Sequence, residues 1–360
     1  MKRILLVLVL LTTWLTLSAS DRTEPPIPDS NRVNLYCIKP PNLNAGDRVA
    51  LISPSYFSPM EEVMRSAEVL RSWGLVPVVG PNVGKMYAGK YAGTPEERLS
   101  DIMWALNDTT IKAVICNRGG YGSIQFVNQI SLTQWGLHPK WLVGFSDIST
   151  IHGLLAHAGV MSIHGTMGLF LAEGGTDESS TLMRDLLMGI VPCYKTPPHP
   201  QNIEGCASGI LIGGNLCTFA PNLGTQADAT LGDDLILFIE EVDETMHNVD
   251  RQFNILALNG VLDRCKGVVL GDFTDCDNEF TFESIEAMLH KYIEAYNIPL
   301  LCGFPAGHGD VNLPLIMGAP VTLDVRSDGA TLRFDIDGQT QVVNTANIRT
   351  SSNTKTSPSE

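Results

Sequence analysis

From Asp47 to Ala158 the chain repeats one pattern: a short apolar run, then a longer stretch with apolar residues at helical spacing. Val49-Ala50-Leu51-Ile52 is followed by Met60 to Trp73, and Val76-Pro77-Val78-Val79 by a helix start at Thr94-Pro95-Glu96-Glu97. That start has proline in the first turn and acids at the positive end of the helix dipole. Ala113-Val114-Ile115-Cys116 and Trp141-Leu142-Val143 are two further runs, the second leading into a helix-like stretch from Ile148 to Ala158. Strands separated by helices pair in parallel, because each crossover returns the chain to the same end of the sheet. The pattern predicts an α/β N-terminal domain over 45–172, with helices on both faces of a parallel sheet.

Residues 173–204 change character. Glu173-Gly174-Gly175-Thr176 and Pro197-Pro198-His199-Pro200 are loop chemistry, so this segment is read as an interdomain crossover. A mixed α/β C-terminal domain is expected over 205–348. It has strands at Gly205 to Gly214, Leu235 to Ile239 and Gly267 to Gly271, and helices at Val249 to Ala257 and Phe282 to Tyr296. Val321 to Val325 and Ala330 to Ile336 read as a closing antiparallel pair. The Ser/Thr/Asn-rich tail, 349–360, is expected to be disordered.

The first twenty residues read as a signal peptide. Lys2 and Arg3 precede an apolar stretch to Leu17, and Ser18-Ala19-Ser20 supplies small residues for cleavage. Its apolar core is shorter than the ~20 residues of a spanning helix. Export, to a periplasmic location, is therefore expected, followed by a linker over 21–44 rich in Pro, Asn and Asp. A net charge of −15 argues against nucleic acid, whose phosphates need Lys and Arg. Eight cysteines without Cys-x-x-Cys, and the absence of His-Glu-x-x-His, argue against a structural zinc or zincin site. Neither metal nor cofactor is expected.

Val143-Gly144-Phe145-Ser146-Asp147 places a serine at a strand-to-helix corner, where its Oγ is pushed toward the carboxyl edge of the sheet. Acyl transfer needs a hydroxyl so placed, but Ser146 or Asp147 could equally be an N-cap. Arg118-Gly119-Gly120-Tyr121-Gly122 ends the preceding strand. It could bind phosphate, supply half of an oxyanion hole, or simply turn the chain. Glu240 and Glu241 end an apolar strand, and adjacent strand residues face opposite ways, so only one can face a shared cleft. His308, between Gly307 and Gly309, suits a general base. His152, His157 and His164 compete with it. The first two are read as helix-surface or interface residues.

Together these segments resemble the L,D-carboxypeptidase family of serine peptidases, which includes muramoyltetrapeptide carboxypeptidase and the microcin C immunity peptidase. The likeness rests on Leu51-Ile52-Ser53-Pro54-Ser55, Ala92 to Arg98, Arg118 to Ser123, Gly144-Phe145-Ser146-Asp147, Gly209 to Leu216, Leu237-Phe238-Ile239-Glu240 and Pro305 to Gly309. It implies a flavodoxin-like N-terminal domain and a smaller, swivelling-type mixed domain, with the site between them. It also implies a Ser146-Glu240-His308 triad, oxyanion donors at Asp147 and at Gly119 or Gly120, substrate contacts at Asn215 and Tyr121, and a homodimer. The substrate would be a peptidoglycan stem peptide losing its terminal D-alanine. Two alternatives stand beside it: a microcin C immunity-type peptidase and a non-catalytic wall-peptide binding protein. The microcin branch carries a stacking tryptophan between nucleophile and acid, and this chain has none between Ser146 and Glu240.

Overall fold

The computed structural model describes residues 37–277 and 281–352. The export segment at 1–20, most of the linker at 21–44 and the tail beyond 352 lie outside the described residues. Strands β1 (Arg48–Ile52), β2 (Val76–Val79), β3 (Ile111–Cys116), β4 (Trp141–Gly144) and β5 (Ser162–His164) pair in parallel. Their order, β2-β1-β3-β4-β5, is that of a flavodoxin-like sheet. The inner strands are buried on both faces, which is why they read as continuous apolar runs. Pro77 lies in β2 at the sheet edge, where a missing N–H costs no ladder bond. Thr94 and Glu97 form a reciprocal capping box at the helix Pro95–Asn107.

The second sheet is mixed and has eight strands. They are β6 (Ile190–Thr196), β7 (Gly205–Asn215), β8 (Leu235–Val242), β9 (Cys265–Thr274) and β10 (Leu300–Leu301), with β12 (Pro320–Arg326), β13 (Gly329–Phe334) and β14 (Gln339–Asn344). β7 to β10 run parallel, and β12 and β13 form the expected antiparallel pair. The short β11 (Leu315–Met317) returns to the first sheet, antiparallel to β5. One hydrophobic core joins Leu51 and Val143 of the first sheet to Phe238, Val269 and Val321 of the second.

Three expectations need correction. The crossover at 173–204 is not loop throughout: it contains a helix, Glu178–Leu187, capped by Asp177, and β6, which pairs with β13 and β14. Gly189, Pro192 and Pro197 flank or interrupt that strand and obscure it in the sequence. The end of the segment read as a linker, 21–44, is packed into the fold, because Cys37 and Leu43 are buried and the Leu43 N–H donates to Leu187 O at 2.8 Å. The C-terminal segment carries a helix, Thr345–Ser352, where a disordered tail was expected from 349. Among the described residues no helix is long and apolar enough to cross a membrane, and the eight cysteines are free thiols.

Candidate active site

Ser146 sits immediately after β4 with φ at +63°. A non-glycine residue in that region costs roughly 1–3 kcal/mol and persists only where its surroundings fix it. Here the chain leaves β4 through an extended Phe145, turns at Ser146 into a 3-10 turn, Ser146–Ile148, and continues as the helix Ser149–His157. Thr218 Oγ1 donates to Ser146 O at 3.2 Å and pins the turn. Neither Ser146 nor Asp147 makes a capping hydrogen bond at either helical start. The N-cap alternative therefore lacks the bond that defines it.

The Asp147 carboxylate, fully buried, reaches back across the sheet. It accepts from the Ser123 N–H at 2.8 Å and from Ser55 Oγ at 2.5 Å. Those partners follow β3 and β1, so one side chain ties three strand-end loops together. Arg98, also buried, donates to Pro54 O at 3.0 Å and lies over the rings of Tyr91 and Phe126. Gly119 lies against the serine: a Cβ there would come within 2.8 Å of Ser146 Cβ and 3.1 Å of its Oγ. Only glycine allows that approach. Among the described residues the N–H groups of Gly119, Gly120 and Asp147 donate to no protein acceptor.

Glu240 and Glu241 diverge as strand geometry requires. The pairing of β8 with β9 shifts register between Ile239 and Glu241, and such an irregularity re-aims a side chain. Glu240 is fully buried, and its Oε2 lies 2.7 Å from His308 Nδ1. Glu241 turns the other way, accepting from Asn215 Nδ2 at 2.7 Å and the Cys217 N–H at 2.8 Å. Burial, with the charge of Glu240 beside it, pushes the Glu241 carboxyl up to about 7. Gly307 closes over the pair: its φ is +136°, and a Cβ would lie 2.8 Å from Glu240 Oε2.

The His308 ring meets Phe145, the residue before the serine, edge-on at 4.9 Å. Its Nδ1 is engaged by Glu240, while Nε2 makes no hydrogen bond among the described residues. No hydrogen bond joins Ser146 Oγ to His308 among those residues either, as is common before a substrate closes such a site. Burial opposes the imidazolium, but the Glu240 hydrogen bond and the charges of Glu240, Glu241 and Asp272 outweigh it, and the His308 pKa is raised from 6.5. A protonated imidazole cannot accept the serine proton. The kcat/KM of the wild-type protein is therefore expected to rise with pH on an acid limb whose midpoint lies above 6.5. A pH–rate profile with that midpoint below 6.5 would contradict the placement of His308.

Other predicted residues lie differently. The Asn215 side chain is buried, donating to Glu241 and accepting from the Cys217 thiol at 3.3 Å, so it does not line a substrate cleft. Tyr121 is exposed, with Tyr91 at 6.3 Å. His152 is not a surface residue. It is buried between Ser162 Oγ and Gly144 O, each 2.8 Å away, and burial lowers its pKa to about 4. Burial also holds His164 well below 6.5, and its Nε2 contacts Asn312 Oδ1 at 3.1 Å. That oxygen also accepts from the Gly307 N–H at 3.1 Å. Asn312, Asp147 and Arg98 thus support the site; the sequence singled out neither the Asn312 nor the Arg98 side chain, and offered that of Asp147 only as a helix N-cap. Among the described residues no cluster of His, Cys, Asp and Glu could hold a metal.

Comparison with known proteins matches two family models, the LD-carboxypeptidase N-terminal domain over residues 49–165 and the LD-carboxypeptidase C-terminal domain over 208–323. The first span contains Ser146, and the second contains Glu240 and His308. A putative carboxypeptidase of Synechocystis is 32% identical over 302 residues, covering 82% of this chain and 97% of that protein. A murein tetrapeptide carboxypeptidase of Pseudomonas aeruginosa is 31% identical over 294 residues, covering 77% and 93%. The crystal structure of muramoyltetrapeptide carboxypeptidase from Oxalobacter formigenes superposes with a TM-score of 0.73 at 24% identity, covering 81% of this chain and 99% of that one, a likeness of fold. With both halves matched and relatives above 30% identity across most of its length, the chain belongs to the LD-carboxypeptidase family.

Proposed function

We propose that this enzyme removes the terminal D-alanine from murein tetrapeptides through an acyl-enzyme on Ser146. The observation that carries the reading is the buried Glu240–His308 contact at 2.7 Å, with the imidazole packed on Phe145 beside a serine at φ +63°. His308 takes the Ser146 proton through Nε2 as Oγ attacks the carbonyl preceding D-alanine. Glu240 holds Nδ1–H and stabilises the imidazolium. The developing oxyanion is met by the N–H of Asp147 and that of Gly119 or Gly120, groups with no acceptor of their own. His308 then gives its proton to the departing amine. Water, activated by the same imidazole, hydrolyses the ester and frees the tripeptide.

The names of the Pseudomonas and Oxalobacter relatives support the substrate class. The basic and apolar start, Lys2 to Ser20, supports action on wall peptides outside the cytoplasm. Incubation of the purified chain with L-Ala-D-Glu-meso-diaminopimelate-D-Ala is expected to yield the tripeptide and free D-alanine by mass spectrometry. Binding of the tetrapeptide without any product would favour the non-catalytic binding protein instead.

A further inference from the structure

A cavity of about 350 Å³ opens beside His308, and the reaction steps above leave it unused. That volume suits a small ligand. Phe145 and His308 form one wall, and Thr166, Glu173, Asp310 and Asn312 line much of the rest. Two kinds of group meet there. Glu173 and Asp310 are exposed carboxylates that make no salt bridge among the described residues. Thr166 is only 3% exposed, and its Oγ1 has no hydrogen-bond partner. Asn312 commits Oδ1 to His164 and Gly307, which leaves its buried Nδ2 unpartnered.

Buried donors without acceptors are costly, and native structures keep few of them. Acids alone would select a cation, and the hydroxyl and amide donors alone would select an anion. Side by side they suit a molecule that carries both charges on one carbon. We propose that this cavity is a subsite for an α-amino-acid head group, its ammonium toward Glu173 and Asp310 and its carboxylate toward Thr166 Oγ1 and Asn312 Nδ2. A turn of the Thr166 side chain about χ1 presents its hydroxyl to the ligand, and a turn of the Asn312 amide presents Nδ2 at the cost of the Oδ1 contacts with His164 and the Gly307 N–H. As a substrate subsite, the assignment rests on the proposed tetrapeptide activity. Two sources supply this chemistry there: the distal end of a diaminopimelate side chain, or the D-alanine released by cleavage.

The test has a binding arm and a turnover arm, each run on wild-type, Thr166→Val and Glu173→Gln full-length protein. Calorimetry with free meso-diaminopimelate and with free D-alanine reads the subsite without turnover. At least one of the two is expected to bind at millimolar concentration or better, and each substitution to weaken it about tenfold, the loss of one charge-assisted contact. In the turnover arm, a preference for a diaminopimelate over a lysine tetrapeptide that falls about tenfold in both variants identifies the side chain as occupant. Product inhibition by D-alanine that weakens about tenfold identifies the leaving group. Failure of both ligands to bind, or binding unchanged in both variants, overturns the subsite. Variant-sensitive binding without release of D-alanine keeps the subsite and overturns the proposed activity.

Discussion

Ser146→Ala is expected to lower D-alanine release about a million-fold, the scale reached when a serine hydrolase loses its nucleophile. It should barely change stability. Among the described residues no hydrogen bond involves the Ser146 hydroxyl, so its removal leaves no buried group unpaired, and alanine carries the same strain at φ +63° as serine does. The helix-cap reading makes the opposite forecast. A lost cap would cost about 1 kcal/mol of stability and leave activity intact. Thermal unfolding and turnover measured on the same preparation separate the two, because each account predicts a change in one quantity and none in the other.

Glu240→Gln is expected to lower kcat about ten-thousand-fold, the effect of replacing a triad acid by its amide. The side chain is buried against Gly307 with its Oε2 on His308 Nδ1, so glutamine fits but presents the wrong partner. If its amide nitrogen faces Nδ1, the imidazole must carry its proton on Nε2, the position that has to accept from Ser146. The hydrogen bond and the negative charge that raise the His308 pKa are lost together. The residual activity should therefore show its acid limb at lower pH than wild type. A fall in kcat with the limb unmoved would mean that Glu240 acts on the fold rather than on the imidazole.

The first sheet could be read from the sequence because its inner strands are buried on both faces and spell out continuous apolar runs between amphipathic helices. The serine corner and the glycine-flanked histidine were equally visible, since backbone geometry there dictates local residue choice. What escaped depends on distant partners. Asp147 meets Ser55, 92 positions away, and Asn312 meets His164, 148 positions away. Strand alternation implied that Glu240 and Glu241 face opposite ways, but not which one faces the histidine. That depends on register in the β8–β9 pair. His152 looked like a surface residue because helical spacing alone cannot say how many sides of a helix are covered. The helix Ser149–His157 is buried almost all round. The substrate contact at Asn215 was implied by the family resemblance alone, whereas here its amide is needed by Glu241.

The most direct test of a Ser146 acyl-enzyme is chemical. Acid-quenching the purified protein within its first turnovers on the tetrapeptide, followed by peptide mapping, should place a tripeptidyl ester on the fragment containing Ser146. The same fragment from Ser146→Ala should carry nothing. An acyl group on another residue, or undiminished D-alanine release by Ser146→Ala, would contradict the account.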